Sequence, residues 1–388
     1  MINNNCGNRF NVFLLPLVMC LFLSLYVSPA FAQSEQDHVR NGMNLVQQGK
    51  LDQAITEFQA ALKMNPKDIA VHVILGQIYE QMGRNEESVA EMQTAVNLNP
   101  TSPDLYNDLG SAYLSAGIPN KAVNAFHHSL VLKPNQSEPY VGIGDAYKQM
   151  KDFRDSENAY IMALGLNPDE SVVPFALGQL YAYFQRPEKA IPEYEAALRI
   201  KPDYPLAKAA LISAMNDAKR YDDSIQTAMA FLKATPNDSN IQEQLAFAYS
   251  GEKNYPMALK TYQSVINADP KNPVSWGNYG WLEYLSGNIQ DAITYSLKAL
   301  SLNPKLAYVK YNLGLYYAVS GNESLAIRTY KDGFTIASSD DTLNAMPDLK
   351  KAIKEHPDNP ILKEALGLLE SLSKSPKAIN EKHEGSHE

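Results

Sequence analysis

Cysteine is nearly absent from this chain. Its two copies, Cys6 and Cys20, both fall in the first 32 residues. From residue 33 onward no disulfide, cysteine-bound zinc or thiol nucleophile can form, so packing alone must hold the fold. Basic clusters are missing too. Lys and Arg number 34 against 43 Asp and Glu, for a net charge of −9, and no basic run interrupts the chain. A surface that neutralises nucleic-acid phosphates needs clustered cations, so nucleic acid is not an expected partner. There is no H-E-x-x-H, no G-x-S-x-G, no P-loop and no dinucleotide glycine fingerprint. His127 and His128 are adjacent, which on a helix turns them about 100° apart. His383 and His387 have helical ligand spacing but lie in a polar tail beside Gly385. Three Asn-x-Ser tripeptides, beginning at Asn135, Asn237 and Asn322, are short enough to arise by chance. The expectation is no catalytic residue, no cofactor and no metal.

What is present begins with an unusual leader. Residues 1–32 carry one charge, Arg9, and an apolar stretch from Phe10 to Val27. Ala30-Phe31-Ala32 then supplies the small-x-small pattern of a secretory cleavage site. The segment reads as a signal peptide, with cleavage after Ala32 and a chain starting at Gln33. That places the protein in the periplasm or outside the cell. The alternative is an uncleaved anchor in the inner membrane, since the apolar stretch has the roughly 17–25 residues that spanning requires.

The remaining chain is too long for one compact core, which stops growing near about 250–300 residues. It is periodic instead. Prolines stand at Pro66, Pro100, Pro134, Pro168, Pro202, Pro236, Pro270 and Pro304, every interval being 34 residues. Glycines keep the same beat at Gly42, Gly76, Gly110, Gly144, Gly178, Gly280 and Gly314. Alanines recur at Ala54, Ala122, Ala190, Ala258 and Ala326, each followed four residues later by Phe58, Phe126, Tyr194, Tyr262 and Tyr330. Each unit holds two amphipathic stretches with three- and four-residue apolar spacing. The proline ends the second, because it lacks an N–H and clashes with the preceding turn.

The segment LYNDLGSAYLSAGIPNKAVNAFHHSLVLKP (Leu105 to Pro134) carries L-G-x-x-Y, A-x-x-x-F and a terminal proline, and AYVKYNLGLYYAVSGNESLAIRTY (Ala307 to Tyr330) carries L-G-x-x-Y and A-x-x-x-Y. In these the chain resembles the tetratricopeptide-repeat family. The resemblance implies an all-α, right-handed superhelical solenoid of nine tandem helix-turn-helix repeats over residues 33–340. Residues 341–372 then read as C-terminal capping helices and 373–388 as a disordered tail. Two units depart from the pattern. The sixth has Ile212 and Met215 where glycine and tyrosine are expected, which predicts a bent or loosened stack. The ninth ends at Ser338 without proline, which predicts a second helix running on into the cap.

In such a solenoid the first helix of each unit lines a concave groove. Early units offer Gln77, Glu80, Gln81, Asn107, Ser111, Asp145 and Gln149 there. Aromatics follow at Phe175, Tyr183, Phe247, Trp281, Tyr284, Tyr308 and Tyr311, and these seven are the candidate binding residues. Aromatic rings bring large apolar area with few rotamers to freeze. Trp276 is expected in the core. The groove lacks the paired basic clamp of the family's co-chaperone members. It also lacks a regular asparagine ladder: Asn278 and Asn312 fit, but Asp108, Gly142, Ala176 and Ala210 do not. The expected function is a non-catalytic scaffold of the cell envelope that holds an extended peptide or partner helix in the groove. A polysaccharide-binding or export scaffold, or an anchored accessory subunit of a secretion or envelope assembly, is the alternative. Expected partners are envelope proteins or peptides, with polysaccharide second, and membrane contact only through an uncleaved leader.

Overall fold

A computed structural model describes residues 29–374. The body of the leader and most of the tail lie outside the described residues. Twenty α-helices make up the described chain, without a strand among them. It divides into two units, one ending at Ala207 and the other beginning at Lys208.

The first unit carries five helix pairs, each forming one repeat. These are α1 (Pro29–Gln47) with α2 (Leu51–Met64), α3 (Ile69–Gln81) with α4 (Asn85–Leu98), and α5 (Pro103–Ser115) with α6 (Pro119–Leu132). Then come α7 (Ser137–Gln149) with α8 (Phe153–Leu166) and α9 (Val172–Tyr183) with α10 (Pro187–Ile200). The predicted cleavage point after Ala32 falls inside α1. In the sixth repeat α11 (Pro205–Asp217), whose first residues precede the division, pairs with α12 (Tyr221–Ala234). The second unit continues with α13 (Ser239–Gly251) and α14 (Tyr255–Ala268), α15 (Pro273–Leu285) and α16 (Ile289–Leu302), and α17 (Ala307–Val319) and α18 (Glu323–Phe334). It closes with α19 (Ser339–Glu355) and α20 (Pro360–Leu372).

Two devices cut the chain into helices of this length. The first closes each leading helix. Residues 49, 83, 117, 151, 185, 219, 253, 287 and 321 all take positive φ, between 56° and 91°. At each one the next residue's N–H reaches five residues back, as in Arg84 to the Tyr79 carbonyl (2.8 Å) and Asn322 to the Tyr317 carbonyl (2.8 Å). This is a Schellman closure repeated nine times, satisfying carbonyls that a helix end leaves idle. Five of the nine positions are glycine. Lys151, Gln185, Lys219 and Lys253 hold the same left-handed conformation with a side chain.

The second device is the proline. The residue before proline is pushed out of the α region by the ring. Asn65, Asn167 and Asp269, each followed by proline, have φ between −140° and −132° and ψ near 83°. Their N–H groups still close the last helical bond, Asn65 onto Ala61 (2.9 Å) and Asn167 onto Ala163 (3.0 Å). The ninth repeat, without proline, does not run on as the sequence predicts. α18 stops at Phe334, and Ser338 starts α19 with a capping box, its hydroxyl accepting from Asp341 N (3.1 Å) while Asp341 accepts from Ser338 N (3.0 Å).

Within a repeat the two helices meet at one small-on-large contact. A Cβ added to Gly110 would lie 2.6 Å from Phe126, at Gly144 2.7 Å from Tyr160, and at Gly314 2.9 Å from Tyr330. The sixth repeat inverts this arrangement rather than loosening it. Ile212 on α11 and Ala228 on α12 are both fully buried and share a core cluster with Ile241 and Leu245 of α13. The bulk has changed helices while the pair still fills its space, the kind of volume-conserving exchange that cores tolerate best.

The nine closures differ in strain. Gly83 has no heavy atom within 4 Å of a built Cβ, so Gly83→Ala should cost only the left-handed backbone penalty, about 1–2 kcal/mol. Lys219→Gly relieves the same penalty and should raise stability by less than about 1 kcal/mol after the entropic cost of glycine. Urea midpoints of the two variants check this. A neutral Gly83→Ala beside a destabilised Lys219→Gly would refute it.

Candidate functional site

The leading helices α3, α5, α7 and α9 touch their successors in the first unit, as α15 and α17 do in the second. Because one face of each is consumed by packing on its own second helix, the opposite, inner face is left to line a shared surface. The seven aromatic candidates distribute unevenly on it. Tyr183 is 55% exposed. Phe247, Trp281, Tyr284 and Tyr308 are half-buried. Phe175 and Tyr311 are 5% and 3% exposed, which corrects their placement as open groove residues. Phe175 packs its ring 4.8 Å from Tyr204 and 5.8 Å from Tyr194. Trp276, expected in the core, is half-buried, stacks on Tyr295 at 5.7 Å and donates Nε1–H to the Pro270 carbonyl (2.9 Å).

Tyr311 is buried because α19 lies over the inner face of the ninth repeat. The Tyr311 hydroxyl and Thr342 hydroxyl share a hydrogen bond of 2.9 Å. Leu315 and Ala318, the next inner positions on α17, are buried in one cluster with Met346, Leu349 and Ala352 of α19. Asn359 Nδ2 donates to the Ala318 carbonyl (2.8 Å), locking the turn before α20 onto the same helix end. The equivalents of Leu315 in earlier repeats, Gln77 and Ser111, are exposed. So the closing segment places one helix in the groove instead of only capping the stack.

Beside this helix a cavity of about 250 Å³ remains. Trp281, Tyr284 and Ile289 line it, together with Asp348, Lys351 and Glu355 of α19 and His356 just after that helix. Trp281 and Tyr284 lie 5.4 Å apart, and Tyr284 stacks on the fully buried Tyr316 at 4.9 Å. Burial pushes the Tyr284 phenol up to about 12, and the carboxylates of Glu355 and Asp348 add to the shift. Tyr308 presses its phenol end on Gly277, and its hydroxyl has no hydrogen-bond partner among the described residues.

The first unit offers a different inner surface, and the sequence reading undervalued it. Asp104 and Asp108 stand one helical turn apart on α5, with Glu80 on α3 and Glu138 at the start of α7. Burial raises Asp108 to about 7, reinforced by the charges of Glu138, Asp104 and Glu80. Glu138 is raised by burial as well, with Asp104 and Glu170 adding to it. Asn107, on the same face, is 4% exposed; its amide N–H favours the ionised Glu138, and its Oδ1 has no hydrogen-bond partner among the described residues. The signal was available in the sequence, since α3, α5 and α9 contain no Lys or Arg. Among the described residues no group of three or more His, Cys, Asp or Glu is arranged to hold a metal. No helix among them is long and apolar enough to cross a membrane.

Sequence profiles of the tetratricopeptide repeat match residues 45–113, 141–205, 175–239 and 274–306. No curated protein matches the chain. Among solved structures, a tetratricopeptide repeat protein from Parabacteroides merdae is 17% identical, covering 73% of this chain and 99% of its own, with a TM-score of 0.50. Yeast Tom70 is 13% identical over 87% of this chain and 99% of its own, with a TM-score of 0.47. A thermophilic repeat protein of Thermus thermophilus is 24% identical over 47% of this chain and 98% of its own, with a TM-score of 0.40. At such identities the likeness is one of fold.

The raised Asp108 has a thermodynamic consequence. Its folded-state pKa lies above the ordinary 3.8, so the unfolded chain releases this proton first and stability falls as pH rises from about 4 to about 7. Asp108→Asn removes the loss. Its gain in thermal midpoint over wild type should be smallest near pH 4, grow with pH and level off above about 7. A difference that does not vary with pH would contradict the assignment.

Proposed function

The chain belongs to the tetratricopeptide-repeat family, and from that premise we propose that it is a non-catalytic scaffold of the cell envelope. It holds an extended peptide or a partner's helix against the inner faces of its leading helices. The observation that carries this reading is α19, which seats Met346, Leu349 and Ala352 against Leu315 and Ala318 of α17. A segment of the chain's own making thus uses the inner surface as a partner helix would, by apolar burial plus one buried hydroxyl pair. Helix-in-groove recognition works through the same spaced apolar anchors.

The envelope assignment rests on the leader alone. Its single charge, apolar stretch and Ala30-Phe31-Ala32 fit an export signal, and the absence of cysteine after Cys20 leaves nothing for an oxidising compartment to cross-link. Mass spectrometry of the native protein should find Gln33 as its first residue. A chain still starting at Met1 would replace free export with anchoring.

Groove binding is tested by selecting from a displayed peptide library against the exported form of the protein. Selected peptides should bind wild type and lose about tenfold or more in affinity on Tyr183→Ala or Trp281→Ala, the scale of losing an interfacial aromatic anchor. Circular dichroism must first show equal helicity. Peptides that bind both variants as well as wild type would move the binding site off the inner face.

A further inference from the structure

The acidic inner face of the first unit identifies the chemistry of what it binds. Helices α3, α5, α7 and α9 together carry Glu80, Asp104, Asp108, Glu138 and Asp145, with Lys148 as their only Lys or Arg. That lysine is already used: its Nζ lies 3.1 Å from Asp145 Oδ1, which also accepts from the Tyr160 hydroxyl (2.7 Å). Glu80 accepts a hydrogen bond from the Ser115 hydroxyl. Glu170, just before α9, accepts from the Ser137 hydroxyl (2.9 Å) and Asn167 Nδ2 (3.0 Å). None of Glu80, Asp104, Asp108 and Glu138 has an ion pair with Lys or Arg among the described residues. Lys133 is the one base whose charge reaches Glu138. Like charges held on one face repel, and among the described residues only Lys133, acting on Glu138, offsets them.

Asn107 is the second, independent observation. Its carboxamide sits between Asp104 and Asp108 in sequence, and its N–H favours the ionised form of the Glu138 carboxyl. Its Oδ1, which a carboxylate cannot satisfy, is buried without a partner among the described residues. A buried carbonyl without a partner is costly, and such groups in folded proteins call for an explanation. An incoming main-chain N–H is the group this carbonyl lacks.

We propose that the inner face of α3, α5 and α7 binds an extended peptide carrying Lys or Arg at about every third residue. This rests on the groove-binding reading above and names its ligand. A single metal ion does not fit, because among the described residues no group of carboxylates is gathered closely enough to ligate one. The spacing follows from geometry. Neighbouring packed helices lie about 8–10 Å apart, and a chain in the polyproline II conformation advances about 3.1 Å per residue with every third side chain on one face. Bases three residues apart therefore meet successive acidic helices. Bound cations favour the ionised form of Asp108, which faces Asp104 on its own helix, Glu80 from α3 and Glu138 from α7. Affinity should accordingly rise with pH through about 7.

The test uses the full exported chain and a fluorescent twelve-residue peptide of Lys-Gly-Ser repeats, with two comparison peptides. One has its lysines gathered at one end, and the other has glutamate for lysine. The spaced peptide should bind at least tenfold tighter than the gathered one, and the acidic one should not bind. Asp104→Asn/Asp108→Asn/Glu138→Gln should reduce binding at least tenfold. The control Asp222→Asn/Asp223→Asn/Glu252→Gln, with the same charge change at exposed positions, should leave it within twofold. Asn107→Leu should weaken binding without lowering the thermal midpoint. Equal losses in both triple variants would reduce the effect to overall charge and overturn the proposal, as would displacement of the peptide by Ca2+ or a free polyamine at stoichiometric concentration. Library peptides that need the inner face but are neutral or acidic would overturn this inference and leave the scaffold reading standing.

Discussion

Everything in this protein depends on how closely the two helices of a repeat approach each other. The missing side chain of Gly110 leaves space for the Phe126 ring, as Gly144 does for Tyr160 and Gly314 for Tyr330. Since a Cβ there would overlap the ring, the contact fixes the helix separation and the rotation of the leading helix about its axis. That rotation decides which residues turn inward, and the inner face is where the function is proposed to lie. The inverted pair of the sixth repeat makes the same point from the other side. Ile212 and Ala228 keep the volume and exchange its source, so the requirement is a filled gap, not a glycine as such.

Helix ends are controlled separately from helix packing. The nine left-handed closures and the pre-proline exits set each helix to about the same length whatever its side chains. This separation of tasks lets the inner face vary freely. Aromatic rings crowd α15 and α17, while carboxylates crowd α5 and α7, with no change in the turns that bound them. A repeat architecture whose units contact only neighbours tolerates such local change.

The two units use their inner faces differently. In the second, α19 already covers the ninth repeat and stops at the cavity beside Trp281 and Tyr284. In the first, the described residues form no ion pair with Asp104, Asp108 or Glu138, and the Asn107 carbonyl stays unpaired. The second unit's surface is apolar and supplied with a helix by its own chain. The first unit's is charged and short of counterions, which is the state of a surface that meets its complement from outside.

The sequence by itself determined the repeat length, the pairing of helices and the positions of their breaks. Glycine, proline and the alanine–aromatic spacing act through local sterics, and local sterics are written in short stretches of sequence. It also determined which positions face inward, because helical periodicity follows from spacing alone. Only the tertiary structure decided which inward positions are open. Phe175 and Tyr311 share their register with several half-buried residues elsewhere, and they are buried further because Tyr204 and α19 come to lie over them. The stop at Ser338 and the return of α19 along α17 depend on contacts between distant segments. The acidic surface needed both. Its residues can be counted in the sequence, but the unpartnered Asn107 carbonyl and the raised Asp108 emerge only when neighbouring helices remove water from around them.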